Sequence, residues 1–206
     1  TGLANAALLA FDTPAGVAAP EPVVAAALPA SQYGGLAIDA WHPAWRPAPD
    51  AADSGPQGLV RLAPLLRHAY AFADDAARPW LDPDAQRRLV ADADTLLVWI
   101  VIARPDGAEL RYPGLPASAL PRGYDARNEA WYRAQAAADA AESGCTEPYL
   151  SPVNGEWLLP CSERIAGADA QLRGVALLAF SLDELARRSL LPADTAAQAA
   201  WLVADD

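Results

Sequence analysis

Lysine is absent from this 206-residue chain, and all 15 basic residues are arginine. Against 26 acids they leave a net charge of −11. A nucleic-acid binder needs a basic stripe to neutralise phosphates, and this chain cannot supply one overall. The same deficit disfavours an anionic membrane surface. Methionine is absent too, and the chain opens at Thr1, so it reads as a processed chain or an excised piece of a longer one. The apolar run Leu96–Ala103 falls far short of the roughly 20 residues that a membrane span needs. No charged segment with a cleavage site is visible at the start. Spans belonging to a longer parent would lie in sequence flanking this one.

Chemistry-bearing motifs are equally scarce. The only histidines, His42 and His68, have no second His or Cys at ligand spacing, so no metal site is expected. Two cysteines without a nearby His are too few for zinc. There is no Gly-x-Ser-x-Gly elbow, no His-Glu-x-x-His and no phosphate-cradling glycine loop. Acids such as Asp74, Asp75, Asp92 and Asp94 read as solvated rather than paired for proton transfer. Neither an enzyme nor a cofactor is expected.

What is present is globular. A hydrophobic fraction of 53% with 20% charged residues argues against global disorder. The length fits one large domain, or one domain with an extension. Residues 1–58 are Ala- and Pro-rich, with Gly2–Phe11 as the possible end of a helix and 43–58 as loop. Leu59, Leu62, Leu65, Leu66, Ala69, Tyr70 and Ala73 recur at helical spacing, with Pro64 moving the start toward Ala63. Pro83 to Ala93 predicts a helix capped by Asp82.

After Asp94 the period changes. Thr95–Ala103, apolar on both faces, predicts a central strand. Arg104-Pro105-Asp106-Gly107 is a turn leading into a hairpin strand over 108–112. A helix capped by Asp125 or Asn128 is expected to run to about Ala141. Thr146–Leu150 and Glu156–Cys161 read as strands joined across Pro152–Gly155. Gly174–Leu182 predicts a strand, Asp183–Arg188 a short helix and Ala199–Ala204 a last strand. The fold class is therefore α+β: an antiparallel sheet of five to six strands flanked by helices, with a helical N-terminal region. Cys145 and Cys161 are sixteen apart with Val153, inside the turn, at their midpoint. That symmetry favours a disulfide over two buried thiols, and with it an oxidising compartment.

Several short motifs in order carry a family resemblance. They are Trp99–Gly107, Leu110–Gly114, Tyr124–Tyr132, Thr146–Tyr149 with the Asn154-Gly155 turn, and Gly174–Leu185. Together they resemble Cache domains, the extracytoplasmic ligand-sensing modules of chemoreceptors, sensor kinases and cyclic-nucleotide enzymes. The resemblance implies a PAS-like fold with a pocket between sheet and connecting helix. It places the sensor core at 94–206, with 1–93 packing on the sheet and 199–206 as the possible start of a second module.

The chain departs from the amino-acid-binding members of that family. Tyr124, Trp131 and Tyr132 match their pattern, but Glu129 stands where the carboxylate-gripping arginine belongs. Ser151 and Ala179 stand where the ammonium-holding aspartates belong. Amino-acid specificity is therefore not carried over.

The candidate ligand-binding residues are Tyr124, Glu129, Trp131, Tyr132, Tyr149 and Ser151. Trp131 and Tyr132 line a pocket, or are ordinary core aromatics of an amphipathic helix. Glu129 faces the pocket and selects a cation, or is a first-turn acid favoured by the helix dipole. The resemblance implies the periplasmic sensor domain of a bacterial inner-membrane receptor. Its partner would be a small molecule, its contact with the membrane would run only through flanking spans, and it would be a possible homodimer. The alternative is a degenerate Cache domain that serves as a structural or dimerisation module without a ligand.

Overall fold

The structure, a computed structural model, describes residues 28–29, 33, 35–48, 59–74, 82–92, 94–137 and 143–190. The expected elements at 2–11 and 199–204 lie outside these residues. Two short strands, β1 (Leu28–Pro29) and β2 (Ala37–Ile38), pair with each other. A third, β3 (Ala44–Arg46), falls inside the segment read as loop. Three residues before a proline carry no strand signal of their own. β3 exists because it pairs with a hairpin strand almost seventy residues later (Trp45 opposite Leu110).

A 3-10 turn (Leu59–Leu62) leads into α1 (Ala63–Asp74), and α2 follows at Pro83–Ala91. The Asp82 carboxylate accepts the Ala85 N–H, and Pro83 opens the helix, as its lack of a donor permits. α2 ends two residues short of expectation because Asp92 turns extended.

β4 (Leu97–Ala103) is buried along its whole length, as an apolar strand at a sheet centre should be. The turn closes where expected, with the Gly107 N–H donating to the Arg104 carbonyl at 3.0 Å. Gly107 takes φ +90°, which a side chain would resist. The chain returns as β5 (Glu109–Tyr112). Gly114 then exchanges both backbone hydrogen bonds with Asp39, at 2.8 and 2.9 Å. A Cβ at Gly114 would collide with the His42 carbonyl, so only glycine lets the upstream segment approach this closely.

Asp125 caps a single 3-10 turn (Ala126–Asn128), and the connecting helix α3 spans only Ala130–Ala136. It stops five residues before the expected end because Ala137 is extended, and Arg164 Nη1 takes up the freed Gln135 and Ala137 carbonyls. The strand expected at 146–150 is instead two pieces, β6 (Ser143–Cys145) and β7 (Tyr149–Leu150), separated around Pro148. Both pair with β8 (Trp157–Ala166). β9 (Leu172–Ser181) follows, then α4 (Leu182–Leu190).

All pairings in the large sheet are antiparallel. Its path runs β3-β5-β4-β9-β8-β6, six strands, with β7 paired to β8 beside β6. If the sensor core begins at β4, its strands lie in the order second, first, fifth, fourth, third. This is the PAS-like arrangement, in an α+β fold.

Strand alternation divides the sheet into two faces. Ile100, Ile102, Leu110 and Tyr112 form one, covered by α1 and α2. There Tyr70 packs edge-on against Tyr112 at 5.6 Å, and Gln86 donates to the Tyr112 hydroxyl at 2.6 Å. The other face carries Trp99, Val101, Glu109, Arg111, Leu177, Ala179 and Ser162, and α3 covers it. The Ser162 hydroxyl donates to the Trp131 carbonyl at 3.2 Å, and Gln135 donates back to the Ser162 carbonyl at 3.3 Å.

Candidate functional site

The face beneath α3 carries charges that an apolar sheet would normally exclude. Glu109 and Arg111 sit two apart on β5, so both side chains leave the strand on the same side. Both are buried, at 1% and 5% exposure. Arg111 Nε and Nη2 donate to one oxygen of Glu109 at 3.3 and 3.2 Å. Arg46 reaches the other oxygen from β3, at 3.4 Å. A buried carboxylate is tolerated only when paired in this way.

Tyr124 lies over the same cluster. Its hydroxyl accepts from Arg111 Nη2 at 3.3 Å, its backbone carbonyl accepts from Arg46, and the Arg46 guanidinium stands 4.9 Å from its ring centre. The Arg111 guanidinium is also 5.6 Å from the ring centre of Trp99 on β4.

Burial pushes the Tyr124 hydroxyl up, although Arg111 pulls the other way. Burial likewise pushes Tyr149 up to about 12. Both phenols thus stay protonated and able to donate at any physiological pH. Arg111 stays charged: burial opposes its charge most, but Glu109 together with Tyr124 and Tyr149 more than compensates. Glu129, half-buried at the start of α3, has its carboxyl raised by burial, with Arg111 and Arg133 opposing. Its side chain caps no helix N–H. Among the described residues it forms no ion pair either.

The sequence-derived candidates divide in space. Tyr124, Glu129 and Tyr149 gather around Arg111, whose charge acts on all three. Trp131 and Tyr132 are buried in α3 and stack edge-on at 5.9 Å. Tyr132 instead senses Arg127, Asp106, Asp125 and Arg164. Ser151 is buried in the β7–β8 turn, where its hydroxyl accepts the Val153 N–H at 3.3 Å.

Arg111, Glu109, Arg46 and Trp99 were not among the candidates. Their signal was present: Glu-x-Arg in a strand flanked by apolar residues places opposite charges on one buried face. Cys145 and Cys161 are joined by a disulfide and stand directly opposite each other in the β6–β8 register. They line a groove of about 390 Å³ with Glu163, Ala176 and Leu178, on the face opposite Arg111.

No protein-family model and no curated protein matches the chain. Several solved structures are similar to it. The ligand-binding domain of the Pseudomonas fluorescens chemoreceptor CtaA, in complex with L-serine, shares 24% identity over 59% of this chain and 50% of its own, with a TM-score of 0.38. That of the Pseudomonas aeruginosa amino-acid chemoreceptor PctC, with GABA, shares 25% over 60% and 55%, at 0.40. That of PctB, with L-Arg, shares 23% over 60% and 50%, at 0.39. The chain spans about half the length of these structures. At such TM-scores the likeness is one of general shape.

Proposed function

We propose that this chain is an extracytoplasmic ligand-sensing domain of a bacterial signal-transduction protein, taking a small molecule between α3 and the sheet. The PAS-like strand order and the Cache-like motif series support this reading. So does a disulfide, which persists in an oxidising compartment such as the periplasm. Among the described residues no helix is long and apolar enough to cross a membrane, so attachment would come from flanking sequence. Signalling would follow from different ligand affinity in two states of α3 against the sheet.

The observation that carries the reading is Glu129: a half-buried carboxylate without an ion pair, beside the hydroxyl-bearing rings of Tyr124 and Tyr149. Burial without a partner destabilises its charged form. A cationic ligand would relieve that cost and could stack on the rings. Tetramethylammonium and pentylamine should raise the melting temperature, by about 5–10 °C at a hundred times the dissociation constant. Glu129→Gln should remove most of that rise with the circular dichroism unchanged. Equal stabilisation of both proteins would place the cation elsewhere.

A second reading has its own support. The Arg111–Glu109–Arg46 cluster fills part of the α3 side of the sheet with the chain's own paired side chains, as a module without a ligand would have it filled. That reading expects no response to any small ion.

A further inference from the structure

We infer that the Cys145–Cys161 bridge is a thiol–disulfide exchange site, open to a dithiol through the groove beside it, and that its reduction releases the end of α3. The inference goes beyond the sensing role proposed above. It holds whether or not a small molecule lies between α3 and the sheet.

Access carries the first half. β6 ends the path of the large sheet, and all three of its residues are exposed, Cys145 among them. Cys161 on β8 is half-buried. Both cysteines line the groove of about 390 Å³, so a thiol reaches the sulfurs without the sheet opening. Exposed bridges are the ones that exchange, because the attacking thiolate needs a path to sulfur. One thiolate of the dithiol attacks Cys145 Sγ, forming a mixed disulfide and breaking the bond to Cys161, which leaves as a thiolate and takes a proton from water. The second thiolate then attacks the reagent's own sulfur, and Cys145 leaves as a thiolate and is protonated in turn. The bridge gains two electrons and two protons, and the dithiol that supplied the electrons ends as a disulfide.

Connectivity carries the second half. The stretch of β8 that receives β6 is also the stretch that holds α3. Cys161 stands opposite Cys145, and Ser162 stands opposite Gly144. Ser162 donates to the Trp131 carbonyl and accepts from Gln135, and Arg164 takes the Gln135 and Ala137 carbonyls. Cys161 lies opposite Leu178, itself opposite Ile100, so the sulfurs sit on the face away from α3 and act on it through β8 and the chain. Only residues 138–142 separate the α3 cap at Ala137 from β6. β6 pairs with β8 over three residues, the last of them the bridged pair. An edge strand this short opens readily once its cross-link is cut, and the helix end joined to it loses its anchor.

The disulfide-intact chain is treated without denaturant at about pH 8, where thiolates are populated. Dithiothreitol is the small dithiol, reduced thioredoxin the protein dithiol, and free thiols are counted by alkylation and mass spectrometry. We expect dithiothreitol to reduce the folded chain no more than about a hundredfold more slowly than the same chain unfolded in urea. A bridge reached only through unfolding would be slower by the unfolding constant, about a thousandfold or more, and that result refutes the exchange site. Faster reduction by thioredoxin, mole for mole, assigns the groove to a protein dithiol, and faster reduction by dithiothreitol to a small one.

Amide hydrogen exchange reads the release. Reduction should speed exchange at residues 143–146 and at Ala137 about tenfold or more, with 100–103 and 175–179 unchanged. The double variant Cys145→Ser, Cys161→Ser should reproduce that pattern without reductant, and the reduced parent chain carries the test alone if the variant does not fold. Identical exchange in the two redox states overturns the inference, however fast the bridge is reduced. Neither result bears on Glu129, so the cation titration decides the sensing reading separately.

Discussion

Glu129 offers the sharpest test at the scale of a residue. Its carboxyl is raised above the ordinary 4.5, first by burial. A carboxylate raised in the folded state binds its proton more tightly there than in the unfolded chain, so folding loses stability as pH rises through these values. Glu129→Gln removes the ionisation. The variant should melt above the parent at pH 7, and the two should converge as pH falls below the ordinary carboxylate value. Thermal denaturation across that pH range checks this. A variant that melts lower at pH 7 would mean that the carboxylate has a stabilising partner. Glu129 itself was legible in the sequence, because a motif position marked it. Its half-burial was not, since a helix-start acid reads identically whether it faces water or a sheet. Arg111 was missed for a related reason: one arginine in a hairpin strand reads as solvated until the strand's second face is known to be covered.

At the scale of elements, local signals and pairing contributed differently. The Asp82 cap, the Gly107 turn and the apolar β4 formed where the residues place them, because each depends on neighbours within a few positions. β3, the break between β6 and β7, and the early end of α3 depend on partners far along the chain. The Cys145–Cys161 bridge was legible from its symmetry about the turn, and it ties β6 to β8 on the sheet face opposite Arg111. Closing a loop of this length is worth about 3 kcal/mol in the chain-entropy model. Replacing both cysteines by alanine should lower the urea-derived stability by about that amount, with the Trp and Tyr near-ultraviolet dichroism retained. An unchanged midpoint would mean that the unbridged unfolded chain is already constrained.

For the whole molecule, the division near residue 93 is one of sequence pattern, and the structure ties the two sides closely. β3 adds the edge strand next to β5, Asp39 pairs with Gly114, and the Tyr33 hydroxyl donates to the Val98 carbonyl at 3.0 Å. Tyr70 and Gln86 meet Tyr112 on the face opposite the candidate site. A chain beginning at Asp94 would expose Ile100, Leu110 and Tyr112 and lose the arginine that shares Glu109. We expect it to be aggregation-prone or to lack a cooperative melt. A sharp thermal transition and dispersed NMR signals from that shortened chain would show that 94–206 folds alone.

The sequence by itself determined the α+β class, the antiparallel hairpins, the central position of β4 and the disulfide. All of these follow from periodicity, turn chemistry and spacing that act over short stretches of chain. Tertiary structure alone decided which strands neighbour one another and that Glu109, Arg111, Arg46 and Tyr124 form one buried cluster. It also left the Trp99 indole N–H buried without an acceptor among the described residues. The strength of a charge or a hydrogen-bonding group depends on what surrounds it, and those surroundings are assembled from strands and helices more than a hundred residues apart.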